Sequence, residues 1–133
     1  MNTIALVCVA ILGVLLFGLG MAVSGTRFQA HTVSGCLPDP TNWLTKLVRA
    51  HGNTAEYAPF FAVLFLYLGA HHPSQSTVAL IVAATAARCL IVVGLLAWPS
   101  MARPNLARFI GGLGTYACGI ALCITLFRLA MGG

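Results

Sequence analysis

From Thr3 to Val23 the chain runs for 21 residues without a charge. A helix of that length, rising about 1.5 Å per residue, crosses the roughly 30 Å hydrocarbon core of a bilayer. Within lipid every backbone N–H and C=O must find a partner inside the protein, so only helices or a closed barrel can span. The run is continuous where barrel strands would alternate with period two, which selects the helix. Composition extends the argument to the whole chain. With 59% hydrophobic and 7% charged residues among 133, there is too little polar surface for a water-soluble domain. The expected fold is an all-α integral membrane four-helix bundle.

Ser24 to Thr41 reads as a polar connection broken by Gly25, Gly35, Pro38 and Pro40. Thr41 or Asn42 then has the chemistry to cap a second helix running from Trp43 to about Ala70. His71 to Gln75 is a turn, with Ser76 or Thr77 as the expected cap of a third helix over 77–98. The segment Pro99 to Pro104 breaks the chain again, and the fourth span covers 105–130. One domain over 1–133 is expected, with spans at 3–23, 43–70, 77–98 and 105–130. No basic residue precedes the first run, so it reads as an uncleaved anchor.

The charge balance of +5 sets seven Lys and Arg against Asp39 and Glu56. These cations lie at helix ends and inside spans, which argues against nucleic acid and for membrane orientation or a small anionic ligand. Arg27, Lys46, Arg49, Arg103 and Arg108 flank the first and third connections, whereas the other side has Arg128. The positive-inside rule therefore places both termini outside the cytoplasm. Small residues, Ala79, Ala83 and Ala87 in the third span and Ala107, Gly111 and Gly114 in the fourth, are spaced for close helix packing, within one subunit or between subunits.

The second helix departs most from a plain anchor. Its strictly apolar part, Tyr57 to Ala70, has 14 residues and is too short to cross alone. Completing the span draws in Glu56 and Asn53, and Pro59 is expected to kink it. Arg49, Asn53 and Glu56 stand at i, i+4 and i+7, one stripe on one face, with Lys46 extending it and Tyr57 one turn beyond Asn53. Arg88, in the third span, needs an anionic partner, and Glu56 is the carboxylate available within the spans. That pair alone would hold a bundle together. Yet Arg49, Arg88, Arg103 and Arg108 against one Glu leave cations in low dielectric that an anionic guest would balance. Glutathione, with two carboxylates, an ammonium and a thiol, has the complementary groups. An Arg near its sulfur would lower a thiol pKa of about 8.5 and supply a thiolate for attack on an apolar electrophile or lipid hydroperoxide arriving from the bilayer.

The string RAHGNTAEYAPFF, Arg49 to Phe61, resembles the signature of the MAPEG family, the membrane-associated proteins of eicosanoid and glutathione metabolism. The length, four spans and basic stretch opening the fourth helix are similar too. The resemblance implies a homotrimer with glutathione as co-substrate, bound between neighbouring subunits toward the cytoplasm, here in the inner membrane of a bacterium. By position it makes Arg49, Asn53, Glu56 and Tyr57 glutathione-binding residues, adds His51 and Arg27, and likens Arg108 to the thiolate-stabilising, catalytic arginine. Arg88 and Arg103 complete the cationic set. One departure stands out: Ile91 and Leu95 occupy the places where glutathione-using members carry aromatic hydroxyls.

Four of the cysteines, Cys8, Cys89, Cys118 and Cys123, lie in apolar runs and read as small core residues, while Cys36 is a loop thiol. His71 and His72 are adjacent and do not share a helix face, so no metal site is expected. No H-E-x-x-H, phosphate loop or nucleophile elbow is present. The leading function is a membrane-bound glutathione transferase or peroxidase. The competing one is a non-catalytic membrane protein, a small carrier or structural subunit, that keeps the polar cavity without the chemistry.

Overall fold

The computed structural model describes residues 1–35 and 38–132 and contains four helices: α1 Thr3–Gln29, α2 Trp43–Ala70, α3 Gln75–Leu96 and α4 Leu106–Ala130. The expected Cys36 thiol lies outside the described residues. Each helix starts on a side chain that accepts a hydrogen bond from an N–H left open by the first turn. These are Asn2 for Ala5 at 3.1 Å, Asn42 for Thr45 at 3.2 Å, Ser74 for Thr77 at 3.2 Å and Asn105 for Arg108 at 2.9 Å. Caps of this kind matter in a chain bordering lipid, because an open donor there has little water to turn to.

Several boundaries differ from those expected. α1 continues six residues past Val23 to Gln29, which places Arg27 in its last turn, where a cation complements the helix dipole. Ser74, not Ser76 or Thr77, caps α3, which ends at Leu96, two residues before Trp98. α2 is helical without interruption through Pro59. Ahead of α2, the Asp39 carboxylate accepts from the backbone N–H of Thr41 at 2.8 Å and from its hydroxyl at 2.7 Å. The first of these bonds, then the second, holds the Asp39 carboxyl below its ordinary 3.8.

α1, α3 and α4 are long and apolar enough to cross a membrane. α2 has 28 residues, but its first half carries the polar groups. α3 and α4 form the most extensive helix pair, followed by α1 with α2, whereas α2 and α4 meet only sparsely. The α3–α4 seam is tight because small residues line it. A Cβ on Gly111 would lie 2.6 Å from Ile91 Cγ1 and 2.9 Å from the Ala87 carbonyl oxygen, and one on Gly114 would lie 3.1 Å from Ala87 Cβ. The expected alanine stripe is only partly used: Ala87 is buried, but Ala79 and Ala83 are exposed. Gly94 joins the seam instead, with no room for a Cβ beside Arg108.

The core falls into two apolar clusters. One, built around Leu12, Phe61, Phe65, Ile81 and Leu122, fills the end that holds the N-terminus. The other, built around Leu19, Leu47, Ala50, Ile91 and Leu95, fills the opposite end. Between them runs a polar belt of Thr54, Thr85, Thr115 and Arg88, all buried. Each threonine hydroxyl donates to the carbonyl four residues back, Ala50, Ile81 and Gly111, at 2.8 to 2.9 Å. These hydroxyls are thereby satisfied without a partner helix.

Candidate functional site

The sparse meeting of α2 and α4 leaves a cleft. On one wall α2 presents Arg49, Gly52, Asn53 and Glu56, and on the other α4 presents Asn105, Arg108, Gly112 and Tyr116. Ile91 and Leu95 of α3 form the floor of this cavity of about 650 Å³. The i, i+4, i+7 spacing thus does place Arg49, Asn53 and Glu56 along one wall, and the fold brings Arg108 opposite them. Ile91 and Leu95 are both buried side chains, so the floor is apolar.

Arg88 is placed differently from its expected pairing. It is fully buried, and its Nη2 donates to the Asn53 backbone carbonyl and to Asn53 Oδ1, each at 2.8 Å. The guanidinium carbon lies 4.9 Å from the centroid of the Tyr57 ring, a cation–π contact. Glu56 is exposed to the cleft and makes no hydrogen bond or ion pair among the described residues. The Glu56–Arg88 bridge is therefore replaced by an Asn53–Arg88 clamp: the buried cation fixes α2 against α3 and leaves the carboxylate free. Arg88 Nε and Nη1 are buried with no partner among the described residues.

Arg108 is held from two directions. Its backbone N–H donates to Asn105 Oδ1, and its Nη1 donates to the Met101 carbonyl at 2.9 Å. Asn105 is itself pinned, because its Nδ2 donates to the Gly94 carbonyl at 2.8 Å. One asparagine thus caps α4, ties it to α3 and sets the start of the arginine helix. Met101 in turn donates its N–H to the Pro40 carbonyl at 3.0 Å, linking the two basic connections.

Lys46 does not extend the polar stripe. It is buried, and its Nζ donates to the Trp98 carbonyl at 2.6 Å, closing the end of α3. Arg103 is exposed in the α3–α4 connection and does not line the cleft. His51 and Arg27 lie on the opposite side of α2, in a cavity of about 810 Å³ shared with Gly20 and Ser24 of α1. There Arg27 Nη2 donates to the Gly35 carbonyl at 3.3 Å, and its Nε is buried with no partner among the described residues. Within one chain the expected residues therefore divide into two groups: Arg49, Asn53, Glu56 and Arg108 in the cleft, with Tyr57 and Arg88 beside it, and Arg27 with His51 behind it.

Beyond Glu56 the cleft continues as an apolar groove of about 620 Å³ between α2 and α4, lined by Phe60, Phe61, Gly119, Ile120 and Ile124 among others. Cys123, expected in the core, is exposed on this groove. Tyr57 and Tyr116 close its polar end. The Tyr57 hydroxyl donates to Tyr116 Oη at 3.3 Å, with the rings edge to face at 6.0 Å. Tyr116 escaped the sequence reading, since a lone tyrosine in an apolar span resembles any aromatic at a lipid boundary. Its available signal was its place four residues after Gly112 on the cleft side of α4.

Four helices, three of them apolar enough to cross a bilayer, and a polar cleft at one end define an integral membrane protein with a small-molecule site between helices. The chain matches the model of the MAPEG family over residues 5–128 of its 133 and belongs to that family. Membership supports, at the level of the family, a membrane glutathione- or eicosanoid-related transferase or a related function. No curated protein and no solved structure matches the chain.

Proposed function

We propose that the chain is a membrane-bound glutathione transferase or peroxidase that holds glutathione in the α2–α4 cleft and presents its thiolate to an apolar electrophile or lipid hydroperoxide. The observation that carries the reading is the set of charges, without an ion-pair partner among the described residues, that face one cavity. Arg49 and Arg108 suit the two carboxylates, or one carboxylate and the thiolate, and the free Glu56 carboxylate suits the ammonium. The cleft volume of about 650 Å³ falls within the range of small-molecule sites. Arg108 serves as the thiolate-stabilising residue, because a guanidinium beside the sulfur favours the charged form of a thiol with an ordinary pKa of about 8.5.

The division of the remaining residues supports a trimer. Arg27 and His51 sit behind α2, away from the cleft of their own chain. A head-to-tail contact, in which the α1–α2 face of one copy meets the α2–α4 face of the next, would bring both groups onto one ligand. Three such contacts close a ring. The same arrangement covers exposed apolar side chains of α4 outside the apolar groove, such as Phe109 and Leu113. With the basic connections facing the cytoplasm, the site opens toward the compartment that the positive-inside rule assigns to it, and both termini face away, as expected for the inner membrane of a bacterium.

The test is the ultraviolet absorbance of a glutathione thiolate in detergent-purified protein near pH 7, with Arg108→Ala alongside. The reading expects a thiolate signal in the parent that falls at least about tenfold in the variant, the loss expected when one preorganised cation is removed. A parent with neither thiolate nor glutathione binding would overturn it. The apolar floor of Ile91 and Leu95 favours a second reading, a binder without chemistry. That reading expects glutathione binding with no thiolate.

A further inference from the structure

Two side chains line both the polar cleft and the apolar groove: Glu56 and Tyr116. The passage between them is where a polar nucleophile and an apolar electrophile would meet. A reaction there requires a group that can receive charge from the electrophile as the new bond forms. An ionised Glu56 only accepts hydrogen bonds. The Thr115 hydroxyl, also on the groove, is committed to the Gly111 carbonyl at 2.8 Å. The Tyr57 hydroxyl is committed to Tyr116 Oη. Tyr116 accepts that bond and makes no other, so among the described residues its own O–H is the free hydroxyl donor at the junction.

The pair is also held in place. Tyr57 is fixed under the Arg88 guanidinium, and Arg88 is locked to Asn53 by two hydrogen bonds. A hydroxyl that accepts one hydrogen bond donates a stronger one, because the chain of dipoles is mutually polarised. The line Arg88, Tyr57, Tyr116 therefore ends in a preorganised donor at the mouth of an apolar groove. Donors arranged in this way stabilise oxygen that becomes negative during reaction.

We propose that Tyr116 is the proton donor for one class of second substrate, long-chain α,β-unsaturated carbonyl compounds, whose alkyl chain lies along Phe60, Ile120 and Ile124 with the carbonyl oxygen at the tyrosine. The proposal rests on the reading that glutathione thiolate occupies the cleft. In the step, the sulfur forms a bond to the β-carbon, the C=C π pair shifts, and the carbonyl π pair moves onto oxygen. Tyr116 gives its proton to that oxygen. The enol tautomerises to the saturated carbonyl, and the tyrosinate regains, through water, the proton that the thiol shed on ionising. The net change is addition of one thiol across one double bond, with nothing oxidised. An aryl halide, which loses a halide ion instead, draws much less on such a donor.

The experiment compares conjugation of glutathione to a long-chain enone and to an aryl halide bearing the same alkyl chain, in the parent and in Tyr116→Phe. The proposal expects kcat/KM for the enone to fall about 10- to 100-fold, within the range for loss of one acid–base group. The value for the halide should fall less than about threefold by the same reasoning. Thiolate absorbance, measured on both proteins, reports the integrity of the cleft and should be the same in each. Equal losses for the two substrates, or a variant that loses thiolate absorbance, would overturn the role of Tyr116. So would a parent that forms thiolate and conjugates the halide but not the enone. A parent without thiolate fails at the earlier step, and the proposed glutathione chemistry falls with it.

Discussion

α4 meets its neighbours in two opposite ways. Against α3 it is in backbone contact, with Gly111 against Ala87 and Ile91 and no space for a methyl group. Against α2 it stands off, and the gap holds a cavity and a groove, each above 600 Å³. The same helix is thus a wedge on one side and a wall on the other. In lipid, helices gain little from merely hiding apolar side chains, so the seam depends on close van der Waals contact. The cleft depends on the rigidity that the seam supplies, because Arg108 can face Arg49 and Glu56 only if α4 is fixed from behind.

The sharpest way to break this contrast uses two adjacent glycines. Gly111→Ala inserts a methyl group at 2.6 Å from Ile91 Cγ1 and 2.9 Å from two backbone atoms, none of which can retreat cheaply. We expect a loss of about 3 kcal/mol or more, toward the upper end for overpacked cores, seen as a lowered thermal midpoint in detergent. Asn105→Ala should cost about 2 kcal/mol by the same measurement, since it removes a helix cap and strands the buried Gly94 carbonyl. It should also weaken glutathione binding, because Arg108 loses its fixed starting point.

Gly112→Ala points the other way. Its Cβ meets nothing within 4 Å and projects toward the cleft. The chain should keep or gain up to about 1 kcal/mol of stability from helix propensity, while glutathione affinity declines as the cleft narrows. Equal destabilisation by the two glycine variants would remove the distinction between seam and wall. The smallest effect concerns Asp39. Its folded carboxyl titrates below its ordinary value because of Thr41, so its contribution is present above 3.8 and is lost as pH falls through the lower folded value. Asp39→Asn should abolish that part of the acid dependence: in a pH series of thermal midpoints the variant lies slightly below the parent at pH 7, and the two converge as pH falls.

The helices were legible because unbroken apolar runs leave a chain in lipid few choices, and the stripe of Arg49, Asn53 and Glu56 was legible because helical spacing alone puts it on one face. What was not legible is rotation between helices. Nothing in the spacing says whether Arg88 turns toward Glu56 or toward Asn53, and the structure gives it to Asn53. Lys46 follows the period of the stripe, yet the end of α3 passes close enough for its ammonium to be spent on the Trp98 carbonyl. Arg27 and His51 share the basic end with Arg108 but lie behind α2, a fact of three-dimensional arrangement that linear charge counting does not contain. Tyr116 needed the cleft itself to be seen.

The polar belt has a consequence for how the chain enters the membrane. An arginine at the centre of a lone transmembrane helix costs about 2.5 to 3.5 kcal/mol on insertion scales. α3 carries such a residue in Arg88, and its partners Asn53 and Tyr57 belong to the helix made just before it. Only His71 to Ser74 separates the two helices. The α2–α3 pair is therefore suited to enter lipid as a hairpin already clasped at its middle, with α2 lending α3 polar company and α3 lending α2 the apolar length it lacks.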